Sequence, residues 1–324
     1  MSLSTFNIHE LLALKPPTWL VDGIIPENSL TALYGAPGHG KSFVALDLAL
    51  SIAAGVPWQG HAVQKGYVVY ISAEGGSGIG KRVGAWLTFH GYTADDYADL
   101  FASFIVSAIR INPESEDVDD IIEQTVHSLD YLETLAYEGY GPDDAEPPLF
   151  IIVDTLARCF EGDENKQEDM GNFIKGLDYL RDRHGATVLV VHHTGKSGPE
   201  ERGSSAFRGA CDTMMLAERN EESGITLSCT KQKDSEEFEP KPFDLMVISG
   251  WDSCVITDGR EGKDKKTAEL LNILRTAGSL THKEWFEKAS GKVPSKTTFN
   301  RILRVMRETK IIVKNNGIYE EMPS

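Results

Sequence analysis

Eight consecutive residues, Gly35-Ala36-Pro37-Gly38-His39-Gly40-Lys41-Ser42, place glycines, a lysine and a hydroxyl at the spacing G-x-x-x-x-G-K-[ST]. Glycines at these positions let successive backbone N–H groups turn inward around phosphate oxygens. A helix that starts beside the lysine adds the positive end of its dipole. Lys41 then reaches the β- and γ-phosphates and the Ser42 hydroxyl ligates Mg²⁺. The chemistry implied is binding of ATP with Mg²⁺, over a contact stretch running from Gly35 through Phe43.

Three further groups bear on the chemistry after binding. Asp154 ends the apolar run LFIIVD, where a carboxylate can hold Mg²⁺ through water; the lesser alternative is a cap for a turn beginning in DTLAR. Glu74 comes after the run GYVVYIS and is flanked by glycines. From there it can face the γ-phosphate and orient or deprotonate an attacking water, or it can be an exposed loop residue. His192 and His193 end the run VLVV. Alternation along a strand sends them to opposite sides, which disfavours a mononuclear metal site and leaves one imidazole to sense the γ-phosphate.

The elements that must position these groups are set by the hydrophobic pattern. Residues 29–34, 66–72, 149–153 and 187–191 read as buried strands, with a further strand at 101–107. Helices are expected over 43–54, 79–90, 116–137 and 169–184, the last stopping at Gly185. Short strands near 213–217, 225–230, 245–249 and 254–257 come after them. Strands alternating with helices, then a run of strands, predict an α/β fold: a mostly parallel sheet with helices on both faces, extended by antiparallel hairpins.

Residues 20–258 are similar to the RecA-like P-loop motor core, and specifically to the hexameric replicative helicases of the plasmid RepA type and their phage relatives. The stretches that carry the resemblance are GAPGHGKS (35–42), VVYISAE (68–74), FIIVDTLAR (150–158), VVHHTGK (190–196) and RGSS (202–205). It implies that Lys41 and Ser42 bind phosphate and Mg²⁺, that Glu74 is the catalytic carboxylate, and that Asp154 is the second Mg²⁺ carboxylate. It makes His193 the sensor, Arg202 an arginine finger acting on a neighbouring subunit's ATP, and Arg82 a contact for the base.

The loop from Thr194 to Gly209 would line a central channel and touch single-stranded DNA through Lys196 and Arg208. With only Phe207 as an aromatic, those contacts would be to phosphate and sensitive to salt. Relatives carry a Lys-x-Arg pair where this chain has Lys231 and Lys233. A lysine lacks the planar fork of arginine, so the finger would fall to Arg202 or Arg208, with the two lysines as further candidates. Only about 28 residues precede the core, and the resemblance does not extend to a primase-binding collar.

Charge divides the chain. Residues 260–324 hold 14 Lys/Arg against 8 Asp/Glu, while the net charge of the whole is −17. A polar stretch, DGREGKDKK, marks a linker at 259–265 between an N-terminal segment (1–28) with its ATPase core (29–258) and a small α+β domain (266–324). In that domain, helices over 266–276, 281–289 and 294–309 precede a hairpin with an Asn-Gly turn, an arrangement that resembles a winged helix. Thr281 and Glu284 form a capping box. The third helix would present Lys296, Thr297, Asn300, Arg301 and Arg304 to duplex DNA; winged helices also serve as protein-contact modules.

The 324 residues are 41% hydrophobic and 25% charged, the composition of a folded globular chain. No apolar run suits a membrane span, and the first residues do not resemble a signal peptide. Four scattered cysteines exclude a zinc ribbon or disulfide scaffold, and a cytoplasmic protein is expected. These readings point to an ATP-dependent translocase or helicase on single-stranded DNA, a hexameric ring in phage or plasmid replication. The alternative is a DNA-bound ATPase that does not unwind and serves recombination, loading or regulation. A phosphotransferase would need an acceptor pocket and lid that the sequence does not supply.

Overall fold

The continuous apolar runs become the central strands of the computed structural model. It describes residues 7–13, 18–73, 76–112, 118–127, 147–194, 205–219, 224–258, 270–274, 276–290, 296–308, 312–315 and 317–321. The strands are β1 (Trp19–Val21), β2 (Ile25–Pro26), β3 (Leu30–Gly35), β4 (Tyr67–Ser72), β5 (Ala102–Ile105), β6 (Leu149–Asp154), β7 (Thr187–His193), β8 (Thr213–Arg219), β9 (Ile225–Gln232), β10 (Lys241–Ile248) and β11 (Ser253–Asp258). The helices in this part are α1 (Ile8–Leu12), α2 (Lys41–Ala54), α3 (Gly76–His90), α4 (118–127), α5 (Leu156–Cys159), α6 (Gln167–His184) and α7 (Ser205–Ala210).

Nine strands form one sheet in the order β11-β10-β9-β8-β3-β7-β6-β4-β5. The pairs β8–β3, β3–β7, β7–β6, β6–β4 and β4–β5 are parallel. The links between β8, β9, β10 and β11 are too short for a parallel crossover, so these strands add as hairpins. This is the α/β fold that the pattern of runs predicts, a sheet whose central strands are parallel, extended by hairpins at one side. Strands β3, β4 and β6 are buried at every residue, because helices cover both faces.

Alternation divides the sheet into two faces. Leu30, Ala32 and Tyr34 of β3, Val69 and Ile71 of β4, Ile151 and Val153 of β6, and Val188 and Val190 of β7 join one core cluster with Phe173 and Leu177 of α6. Helix α2 packs against β3, β4, β6 and β7, and the residues between those named point to the face opposite α6.

Several boundaries differ from the sequence expectation. Helix α2 begins at Lys41 rather than 43 because Gly40, at φ 82°, turns the loop directly into the first helical turn. Helix α3 begins at Gly76, ahead of the expected 79. Of the acidic helix expected over 116–137, residues 118–127 are helical and 128–146 lie outside the described residues. Residues 205–210 of the expected channel loop are helix α7, with Phe207 buried in the core rather than available to a base. The reason is packing: Phe207 sits against the ring of His192, with centroids 5.9 Å apart.

The chain separates into two units, one of residues 1–218, 227–240 and 247–255 and the other of 219–226, 241–246 and 256–324. The linker expected at 259–265 lies outside the described residues. The second unit contains helix α8 (270–274), β12 (Leu280–Thr281), α9 (His282–Lys288), α10 (Lys296–Glu308), β13 (Ile312–Asn315) and β14 (Ile318–Glu321). Its three strands run in the order β12-β14-β13 around a core that includes Leu270, Leu274, Trp285, Phe299, Leu303 and Tyr319. The Thr281–Glu284 capping box is formed: each side chain takes the other residue's backbone N–H. Strand β12 has no signature in the sequence, because two residues are too few to show a period. No helix among the described residues is long and apolar enough to cross a membrane.

Candidate nucleotide site

The carboxyl ends of β3, β7, β6 and β4 lie side by side, with Gly35 paired to His193 and Asp154 paired to both Ser72 and Val191. Alternation places Tyr70, Ser72, Asp154 and His193 on the α2 face. The loop 35–40 leaves β3 at this edge. Gly38 and Gly40 adopt φ of 78° and 82°, a left-handed conformation that costs other residues roughly 1–2 kcal/mol. Gly35 is required for a different reason: a Cβ there would lie 2.3 Å from the carbonyl oxygen of Ala217 in β8. His39 Nδ1 also lies 3.3 Å from that oxygen, so the loop is seated on β8.

Lys41 is 5% exposed. Its ammonium donates to the carbonyls of Gly35 and Ala36, each at 2.9 Å, and lies 3.3 Å from His193 Nδ1. An ammonium only donates, so this contact makes Nδ1 the acceptor and puts the neutral ring's proton on Nε2. These acceptors hold the lysine at the edge where a phosphate oxygen can replace them. His192 points the other way, buried against Phe207, as the alternation of the two histidines requires.

Asp154 is buried at the end of β6, and Tyr70 Oη donates to its Oδ2 at 2.7 Å. Burial, followed by the Asp154 charge, raises the Tyr70 phenol well above its usual range. The phenol therefore stays protonated and remains a donor. Thr155, not Asp154, occupies the N-cap position of α5, so the capping role that the sequence left open does not apply. Ser42 in the first turn of α2 and Asp154 at the end of β6 are hard oxygen donors, the type Mg²⁺ takes alongside phosphate oxygens. Tyr70 was missed from sequence; its only signal was its place two residues before Ser72 on the same face.

Beyond Ser42, the site continues along α2 and α3. Phe43 of α2, with Gly78, Lys81 and Arg82 of α3, lines a cavity of about 520 Å³ whose other wall is Val247, Asp252, Ser253 and Cys254. The Arg82 guanidinium lies over the Phe43 ring, 5.0 Å from its centroid. The β10–β11 wall was not foreseen, since no local pattern ties residue 252 to residue 81.

The remaining candidates sit elsewhere. Arg208 donates to the Thr230 carbonyl at 3.1 Å, while Lys231 donates to the carbonyls of Arg208 at 2.8 Å and Gly209 at 3.2 Å. Lys231 thus neutralises the negative end of α7 in its own chain. Lys233 pairs with Asp212 at 3.3 Å. Acting on a neighbouring subunit would require these bonds to be exchanged. Glu74, Lys196 and Arg202 lie outside the described residues, as do the side chains of Thr297, Arg301 and Arg304. Lys296 is exposed, and Asn300 Oδ1 lies 2.6 Å from His282 Nε2. Among the described residues, one group of three metal-ligating side chains occurs, Asp119, Glu123 and His184. Arg183 pairs with both of its carboxylates, tying α4 to the end of α6.

A family model described as an AAA domain matches residues 9–199. No curated protein gives a significant match. Among solved structures, a KaiC-like protein of the hyperthermophilic archaeon Pyrococcus horikoshii aligns at 13% identity, covering 74% of this chain and 93% of that one, with a TM-score of 0.47. A likeness that distant assigns no role to any residue.

Proposed function

The chain belongs to the AAA domain family, and from that membership we propose that it hydrolyses ATP and uses the cycle to move along single-stranded DNA. The working form is proposed to be a hexameric ring that acts in phage or plasmid replication. The observation that carries this reading is the contact between Lys41 and His193 at the end of β7. An imidazole beside the phosphate-binding ammonium is followed directly by the segment 194–209, the candidate DNA-contacting loop. Arrival or loss of a γ-phosphate changes the partners of both side chains, and the change is passed to that segment.

The roles divide by position. Residues 35–42 hold the triphosphate, and Ser42 and Asp154 hold Mg²⁺, with Tyr70 fixing the Asp154 carboxylate. When bound, Mg²⁺ neutralises charge that develops on the β- and γ-phosphate oxygens. Glu74 orients the attacking water, Arg82 faces the base, and Arg202 of a neighbouring subunit stabilises the transferring phosphate. Lys196 and Arg208 contact DNA phosphates.

A second reading draws on the C-terminal unit. Two helices followed by a hairpin, with Lys296 exposed at the start of α10, support duplex or partner binding by a winged helix. The protein would then be a DNA-bound ATPase that does not unwind. Steady-state ATP hydrolysis, alone and with single-stranded or duplex DNA at low salt, separates the two. Single strands should stimulate turnover, and added salt should remove the stimulation. Stimulation by duplex alone, or by neither, overturns the translocase reading in favour of the second.

A further inference from the structure

The cavity between α3 and the β10–β11 turn has a chemistry beyond holding a generic base. The turn is anchored on α3: Trp251 Nε1 donates to Thr88 Oγ1 at 2.8 Å, and the indole covers Gly84 so closely that a Cβ there would lie 2.3 Å from the ring. The next residue, Asp252, pairs with Lys81 at 3.6 Å at the rim of the cavity. An acceptor and a donor therefore stand side by side at the exposed rim of a space that is also lined by Phe43, the residue after Ser42.

We propose that Asp252 and Lys81 select adenine. The Hoogsteen edge of adenine offers a donor (N6–H₂) beside an acceptor (N7), complementary to a carboxylate beside an ammonium. Guanine offers two acceptors there, O6 and N7, and sets O6 against the Asp252 carboxylate. Arg82, resting on Phe43, supplies the flat apolar and cationic floor on which either purine can lie. Selection comes from the rim pair. The Trp251 anchor keeps the backbone of the turn, and with it Asp252, beside α3.

This inference rests on reading residues 35–42 as a triphosphate site, and the test separates the two. Dissociation constants are measured by calorimetry for ATP, GTP and inorganic tripolyphosphate with wild-type protein, Asp252→Ala, Lys81→Ala and Lys41→Ala. Wild type should prefer ATP to GTP by about tenfold, the value of one good pair of hydrogen bonds at an open rim. Asp252→Ala and Lys81→Ala should each bring that ratio to within about threefold, with tripolyphosphate bound as in wild type. Lys41→Ala should weaken all three ligands together. An ATP-to-GTP ratio unchanged by either rim variant, or a loss of ATP matched by an equal loss of tripolyphosphate, overturns the selection. Wild-type protein that binds neither ATP nor tripolyphosphate overturns the phosphate reading and the selection with it.

Discussion

The two ends of the nucleotide site are built on different principles. At the phosphate end, Lys41 and Asp154 are buried, and their partners are backbone carbonyls or side chains on neighbouring strands. At the base end, Lys81 and Asp252 are exposed, and one indole anchor holds the turn that carries Asp252. A buried group gives up a partner only when another polar atom takes its place, so the phosphate end is held in one arrangement until a phosphate oxygen arrives. In the proposed reading it would take any triphosphate. An exposed pair costs little to rearrange, so the base end can be tuned without threatening the fold. On that same proposed reading the rigid end supplies affinity and chemistry, and the adjustable end supplies the choice of base.

That contrast is open to direct attack, and the strongest blow falls on Gly35. A methyl group at Gly35 would meet the Ala217 carbonyl at 2.3 Å, with backbone on both sides. Gly35→Ala should cost roughly 3 kcal/mol of stability, as overpacking against backbone does. It should also weaken every triphosphate alike. Urea unfolding reads the first effect; a near-wild-type midpoint would show that β8 yields and that the phosphate end is not rigid.

Next comes Asp47, a carboxylate in the interior of α2 behind the phosphate loop. Burial raises its pKa from 3.8 to about 6, against the lowering effect of hydrogen bonds from Gln59 and Trp86. Because the folded pKa is the higher one, the folded state binds the proton more tightly. The group's contribution is therefore most favourable below about pH 4 and is lost as pH rises toward 6. The full shift corresponds to roughly 3 kcal/mol. Asp47→Asn removes the ionisation while its amide oxygen can still accept from Trp86. Relative to wild type, the variant should gain on the order of 2 kcal/mol between pH 4.5 and pH 7.5 in denaturant titrations. A difference that stays constant across that range would mean Asp47 does not titrate there.

Tyr70→Phe is the finer cut. It removes the donor to Asp154 and leaves the carboxylate in place, at a cost of about 1.5 kcal/mol, the lower end of the usual loss for one hydrogen bond to a charge. Hydrolysis at saturating Mg²⁺ should fall about tenfold while tripolyphosphate binding without metal is kept. Equal loss of both would assign Tyr70 to packing alone. At the far end of the scale, Asp252→Ala should leave stability within about 0.5 kcal/mol of wild type, as a surface substitution does. A larger cost would erase the contrast.

Legibility followed the same division. The phosphate loop was readable because its chemistry is local: glycines, lysine and serine act through the backbone they share. The strands 30–35, 149–154 and 187–193 were readable because burial on both faces demands continuous apolar runs. The opposed directions of His192 and His193 followed from alternation alone. The segment after Thr194 was less legible. Six of its residues form α7 because Phe207 finds a pocket in the core, and nothing within that stretch announces the pocket. Lys231 and Lys233 show the same limit, since a lysine that caps its own chain's helix is written like one that reaches outward.

Spacing and residue type were thus enough to establish a phosphate-binding strand–loop–helix, the α/β pattern around it and the capped helix beginning at Thr281. These depend on interactions between residues within one turn, one strand or one cap. The tertiary structure alone decided that Tyr70 holds Asp154 across 84 residues, that Lys41 meets His193 across 152, and that Trp251 brings Asp252 to α3 across 163. Each of these contacts joins positions that become neighbours only when the sheet has formed in its strand order. Until then, the cost of closing so long a loop outweighs any single contact, so no local pattern can encode it.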